Sequence, residues 1–143
     1  MFERFTEAAR RALFFARYAV AERGGAAIEP EHIVLGVMQV IPEAISRFAS
    51  IDDAVNVITS GLIGNFPHGL TLPTSTEIPF SAGTKQALER AVIEADDLRD
   101  KLIRPEHLIL GVLVKTSGDA CDALNRAGVK ISTIRQFLRP AQA

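Results

Sequence analysis

Cysteine is almost absent. Cys121 alone excludes an internal disulfide and a zinc cluster built on thiolates. No flanking histidine or cationic cluster is present to activate it, so it reads as a small core residue in a reducing compartment. Tryptophan is missing, Tyr18 is the one tyrosine, and there are three histidines. From these no nucleophile, base and orienting group can be assembled, so no enzyme, no catalytic residue and no cofactor are expected. No sign of charge dominates: 16 basic against 17 acidic residues leave a net charge of −1. The basic residues are scattered, which argues against nucleic acid or an anionic membrane as a partner. No run reaches the roughly 18 apolar residues a bilayer span needs, and Glu3 and Arg4 interrupt any leader-like opening. A soluble cytoplasmic protein is the expectation. Alternating strand patterns are also lacking.

What the chain does contain is a repeat. Ile-Glu-Pro-Glu-His-Ile-Val-Leu-Gly-Val at 28–37 returns as Ile-Arg-Pro-Glu-His-Leu-Ile-Leu-Gly-Val at 103–112, and the correspondence runs ungapped from Phe5/Phe80 to Met38/Leu113. Identical pairs include Phe5/Phe80, Ala12/Ala87, Ala16/Ala91, Ile28/Ile103, Pro30/Pro105, Glu31/Glu106, His32/His107 and Gly36/Gly111. Repetition of this kind decides the architecture before any local reading. It predicts an all-α fold of two tandem four-helix pseudo-repeats related by approximate twofold symmetry. The expected organisation is one domain over 1–143, with repeat 1 at 1–60, a connector at 61–79 and repeat 2 at 80–143.

Local signals place the helices. Thr6 caps a first helix running to Arg23, with Gly24-Gly25 as its stop. Ala9, Ala12, Ala16 and Ala19 on its apolar stripe predict close helix–helix approach. Pro30 suits a first helical turn, and 33–41 is apolar nearly all round, as a buried central helix would be. Gly36 within it, repeated as Gly111, predicts that another backbone packs there. Short helices are expected at 42–49 and 52–58. The glycines and prolines of 61–79 mark a connector, whose Leu62, Ile63, Phe66, Leu70 and Leu72 suggest that it packs on the surface. The second copy is expected to run from the Ser81 cap to about Arg99, then 105–115, 119–127 with Gly128 as its stop, and 132–138.

The doubled Pro-Glu-His-Ile/Leu-x-Leu-Gly-Val element and the opening Met-Phe-Glu-Arg-Phe-Thr-Glu-Ala-Ala-Arg resemble the N-terminal domain of Clp ATPases, closest to the ClpC type. The likeness covers essentially all of 1–143. It implies a mobile, non-catalytic module that docks adaptors and captures substrate polypeptides for an unfoldase ring. No Gly-x-x-x-x-Gly-Lys-Ser/Thr stretch occurs, so the expectation is an excised N-domain or a stand-alone homologue. The alternative function is a regulator that binds a Clp ATPase or its adaptors and competes with the ring's own N-domains. Glu-Pro and Arg-Pro stand where the ClpC pattern has Gly-Thr, which bears on adaptor identity more than on fold.

The resemblance also implies a phosphoarginine-like ligand site at Thr6 with Glu31 and at Ser81 with Glu106. A helix N-terminus would hold the phosphate there, and a carboxylate the guanidinium. The plainer reading makes Thr6 and Ser81 simple caps and both glutamates favourable first-turn charges. His32 and His107 read as structural hydrogen-bonding residues. Adjacent Glu and His point about 100° apart on a helix, which is no zinc site, and no metal is expected. Phe14, Phe15 and Tyr18 have Glu89, Arg90 and Ile93 as counterparts. Either they form an exposed protein-binding patch, or Phe15 is core and the two copies pack differently.

Overall fold

The computed structural model describes residues 2–139; Met1 and 140–143, the outermost positions of the expected domain, lie outside them. Eight helices follow in order: α1 (Glu7–Arg23), α2 (Pro30–Val40), α3 (Glu43–Ser46), α4 (Ala54–Ile63), α5 (Ala82–Asp97), α6 (Pro105–Lys115), α7 (Asp119–Arg126) and α8 (Ile131–Leu138). Among the described residues there is no strand, only the isolated parallel bridges Phe5 to Ile103 and Ile28 to Phe80.

Those two bridges carry the symmetry. Ile103 donates its N–H to the Arg4 carbonyl at 2.9 Å, and Thr6 donates to the Ile103 carbonyl at 3.0 Å. Ile28 donates to Pro79 at 2.8 Å, and Ser81 to Ile28 at 3.0 Å. Each copy's leading segment therefore pairs with the other copy, as twofold-related halves must when they exchange an edge. Arg4 reinforces one side through Asp96 at 2.7 Å and the Lys101 and Asp100 carbonyls.

Small residues set how closely the long helices meet. Ala9, Ala12 and Ala16 of α1, like Ala87 and Ala91 of α5, are buried where α2 and α6 cross them. The helices α2 and α6 also pack on each other, so the repeated apolar segment forms the centre of the molecule. Beside it, α4 packs on α7, and the α3 segment lies against α8 through Phe48 and Phe137. Cys121 is buried, with its thiol directed at the Val112 and Thr116 carbonyls.

Several boundaries differ from expectation for physical reasons. The helix expected at 42–49 closes at Ser46, because Phe48 and Ala49 turn tightly through bonds to Ile45 and Ser46 that bury the Phe48 ring. The next was expected at 52–58 but runs from Ala54 to Ile63. Burial of Ile58 and Leu62 carries it through Gly61, so 61–63 are helical rather than connector. Asp53, in the left-handed region at φ 57°, sets its start. Helix α5 stops at Asp97, and Arg99 takes the left-handed conformation that Gly24 takes in the first copy.

The connector lies on the surface, as its apolar residues suggested. Gly69 and Leu72 donate to the Arg23 and Ala21 carbonyls, and Arg17 reaches the Thr74 and Thr76 carbonyls. Phe66 is buried, whereas Leu70 is fully presented to solvent. Among the described residues no helix is long and apolar enough to cross a membrane.

Candidate functional site

Thr6 and Ser81 both act as caps. Thr6 Oγ1 accepts from the Ala9 N–H at 3.1 Å, and Ser81 Oγ from the Thr84 N–H at 3.2 Å. Each leaves two donors of its first turn over. The N–H groups of Glu7, Ala8, Ala82 and Gly83 have no hydrogen-bond partner among the described residues. Such N–H pairs at a helix start are a place for an anion.

The backbone at these starts pairs across the two copies. The sequence reading set Thr6 with Glu31 and Ser81 with Glu106, each within one copy. The crossed edge instead brings Thr6 beside Ile103, three residues ahead of Glu106, and Ser81 beside Ile28, three ahead of Glu31. A Cβ on Gly83 would meet the Pro30 ring at 3.8 Å, which places the start of α5 against the start of α2. The backbone thus sets Thr6 against the segment that leads to Glu106, and Ser81 against the segment that leads to Glu31.

The two glutamates have different surroundings. Glu31 is half-buried at the start of α2, near the start of α7. Burial first, then Glu29 and Asp119, push its carboxyl above the ordinary range, while backbone N–H groups, including that of Ala120, draw it back. Glu106 is 5% exposed, and the Arg47 guanidinium lies 3.7 Å from its Oε2. Arg47 also covers the Phe137 ring at 4.5 Å, and Phe137 stacks edge-on with Phe48.

His32 and His107 close the first turns of α2 and α6. Each Nδ1 accepts the N–H of the residue before the helix, Glu29 or Arg104, at 2.9 Å. This is a capping box with histidine in place of the usual Glu or Gln. The acceptor role at Nδ1 places the ring proton on Nε2. Burial pushes both imidazoles down to about 4, so both are neutral near pH 7. His32 packs on Phe66, and His107 Nε2 is buried without a partner. Both histidines are therefore structural, as their positions suggested. Among the described residues no group of three or more potential ligands is arranged to hold a metal.

Phe14, Phe15 and Tyr18 lie on the outer face of α1. Phe14 and Tyr18 are 63% and 57% exposed, and Phe15 is half-buried, edge-on to Phe14. Phe15 and Tyr18 border a groove of about 470 Å³ between α1, α2 and α4, floored by Ala19, Leu35, Met38 and Val55. In the second copy the matching place is a smaller cavity of about 290 Å³, lined by charge. Glu94, 3% exposed, receives Arg90 at 2.6 Å and Arg135 at 2.9 Å. The sequence reading missed this network. The Arg90–Glu94 spacing of four residues was a visible signal, but Arg135 reaches Glu94 only through the packing of α8 on α6.

Comparison with known proteins completes the description. The family model for the Clp repeat (R) N-terminal domain matches residues 4–127 and again 80–141, the second match falling on the second copy. An uncharacterized Mycobacterium tuberculosis protein is 33% identical over 128 residues, covering 90% of this chain and 49% of that protein. The negative regulator of genetic competence ClpC/MecB of Bacillus subtilis is 28% identical, over 95% of this chain and 17% of its own length. The chain thus spans half or less of these curated relatives. Among solved structures, the Hsp104 N-terminal domain of Candida albicans superimposes with a TM-score of 0.72 at 20% identity, covering 94% of this chain and 88% of that one.

Proposed function

The chain belongs to the Clp repeat N-terminal domain family, and from that we propose that 1–143 works as one protein-interaction domain without catalysis of its own. It docks adaptors and captures substrate polypeptides, phosphoarginine-tagged ones among them, for a Clp unfoldase or protease. What supports this reading is the crossed edge: each helix start with two free N–H groups lies against the segment of the other copy that leads, three residues on, to a glutamate. Free N–H groups suit a phosphate, and a carboxylate suits a planar guanidinium, so both ends of phosphoarginine find chemistry at one place. The aromatic face of Phe14, Phe15 and Tyr18 supplies a second, apolar docking surface on α1.

Calorimetric titration with phosphoarginine tests the reading. Heat should appear with the parent protein and vanish in the Glu31→Ala/Glu106→Ala double variant. No binding by the parent at millimolar ligand ends the phosphoarginine assignment.

The relation to the mycobacterial protein supports a second reading. That relative has about twice the matched length, whereas the match covers 17% of ClpC/MecB. A small protein carrying this domain would act as a regulator, competing with the ring's own N-domains for adaptors. Added in trans to a purified Clp ATPase, protease and adaptor, it should then slow degradation of an adaptor-dependent client; an unchanged rate rejects this role.

A further inference from the structure

The two crossed sites are not equivalent, because one of them already holds a guanidinium. Arg47, following α3, places its guanidinium between the Glu106 carboxylate, 3.7 Å away, and the Phe137 ring, 4.5 Å from its centre. A carboxylate and an aromatic face are the two elements with which proteins hold arginine. Glu106 is almost fully buried, and Arg47 is the basic residue whose guanidinium lies beside it.

The repeat shows what stands at the corresponding places near Glu31. The buried positions Ala44, Ile45 and Phe48 of the α3 segment recur as Ala120, Cys121 and Leu124 of α7, which sets Arg47 opposite Ala123. Likewise Ile58 and Leu62 of α4 recur as Ile134 and Leu138 of α8, which sets Phe137 opposite Gly61. Both elements of the Arg47 seat are therefore missing around Glu31. Its neighbours Glu29 and Asp119 are acidic, and no arginine is paired with it.

We propose that Arg47 is a built-in occupant of the Glu106 site, leaving Glu31 as the single carboxylate open to an arginine-derived group on a partner. This rests on the phosphoarginine reading of the crossed sites. A tethered side chain acts at an effective concentration on the order of millimolar or more. A free ligand used well below that level is kept out of the Glu106 site while Arg47 is present. Arg47 is thus a specificity-determining residue that makes a two-site fold bind one ligand.

Titration of phosphoarginine into the parent, Arg47→Ala and Arg47→Ala/Glu106→Ala proteins tests this. The expected stoichiometries are one, two and one. Arg47→Lys, which keeps the charge but lacks the planar fork, should stay near one, and circular dichroism with thermal melting checks that each variant folds. A parent stoichiometry of two, or an Arg47→Ala variant that folds and still binds one, overturns the proposal and leaves the phosphoarginine reading intact. No binding by either protein overturns both. Binding by Arg47→Ala alone rejects the open Glu31 site and so overturns the proposal.

Discussion

A Cβ placed on Gly36 would stand 3.0 Å from the carbonyl carbon of Ala12, inside the reach of that residue's oxygen, and Gly111 has the same relation to Ala87 at 2.9 Å. Backbone opposes backbone at both places, so no flexible side chain can yield. Gly36→Ala and Gly111→Ala should each destabilise by about 2–3 kcal/mol, although alanine is the better helix former by about 1 kcal/mol. Urea denaturation measures this directly, and a stabilised variant at either position would contradict the close crossing.

The buried Glu94 network predicts an asymmetry between its partners. Glu94→Ala removes the buried charge and leaves two arginines that are partly exposed and can rehydrate, so the loss should be about 1–2 kcal/mol. Arg90→Ala/Arg135→Ala strands a carboxylate that is 3% exposed and should cost about 3–5 kcal/mol. Equal losses in chemical denaturation would mean that burial of Glu94 is not the governing factor.

Acid should weaken the fold in two windows. Both buried histidines sit near 4 in the folded protein against an ordinary 6.5. The unfolded chain therefore binds more protons between those values, and stability present above pH 6.5 is lost as pH falls towards 4. The loss should be roughly 2–3 kcal/mol per histidine. Glu94 is held below the ordinary carboxylate range, first by the Arg135 hydrogen bond and then by Arg90, so its contribution is lost only below about pH 4.5. His32→Gln/His107→Gln should flatten the upper window and leave the lower one. A stability profile of the double variant that stays equally steep between pH 6.5 and 4.5 would falsify this.

Phe14→Glu and Tyr18→Glu change side chains that are mostly in solvent, so the thermal midpoint should move little, by the equivalent of about 0.5 kcal/mol. If this face docks polypeptides, the same variants should lower the affinity for an unfolded model client several-fold by fluorescence anisotropy. Unaltered affinity would remove the aromatic face from the binding surface.

Much of this was open to reading in the chain. The 75-residue correspondence implied two copies, the alanine stripe and the paired glycines implied a close crossing, and Thr6, Ser81, Pro30 and Pro105 marked helix starts found within a residue or two. These are local properties, carried by periodicity, caps and residue volume within a few turns. The exposure of Phe14 matches that of its charged counterpart Glu89, whereas comparing the copies left open whether Phe15, half-buried in the structure, is core.

By itself the amino-acid order determined that there are two similar helical units, where their principal helices begin, and that Gly36 and Gly111 admit a neighbouring backbone. Only the tertiary structure decided how the units are joined. The bridges run from Phe5 to Ile103 and from Phe80 to Ile28, so each unit's leading segment lies against the other unit, and Arg47 of the first unit meets Glu106 of the second. Helix signals act over a few residues along the chain, whereas the edge exchanged between halves depends on buried surface summed over both, which no short stretch encodes.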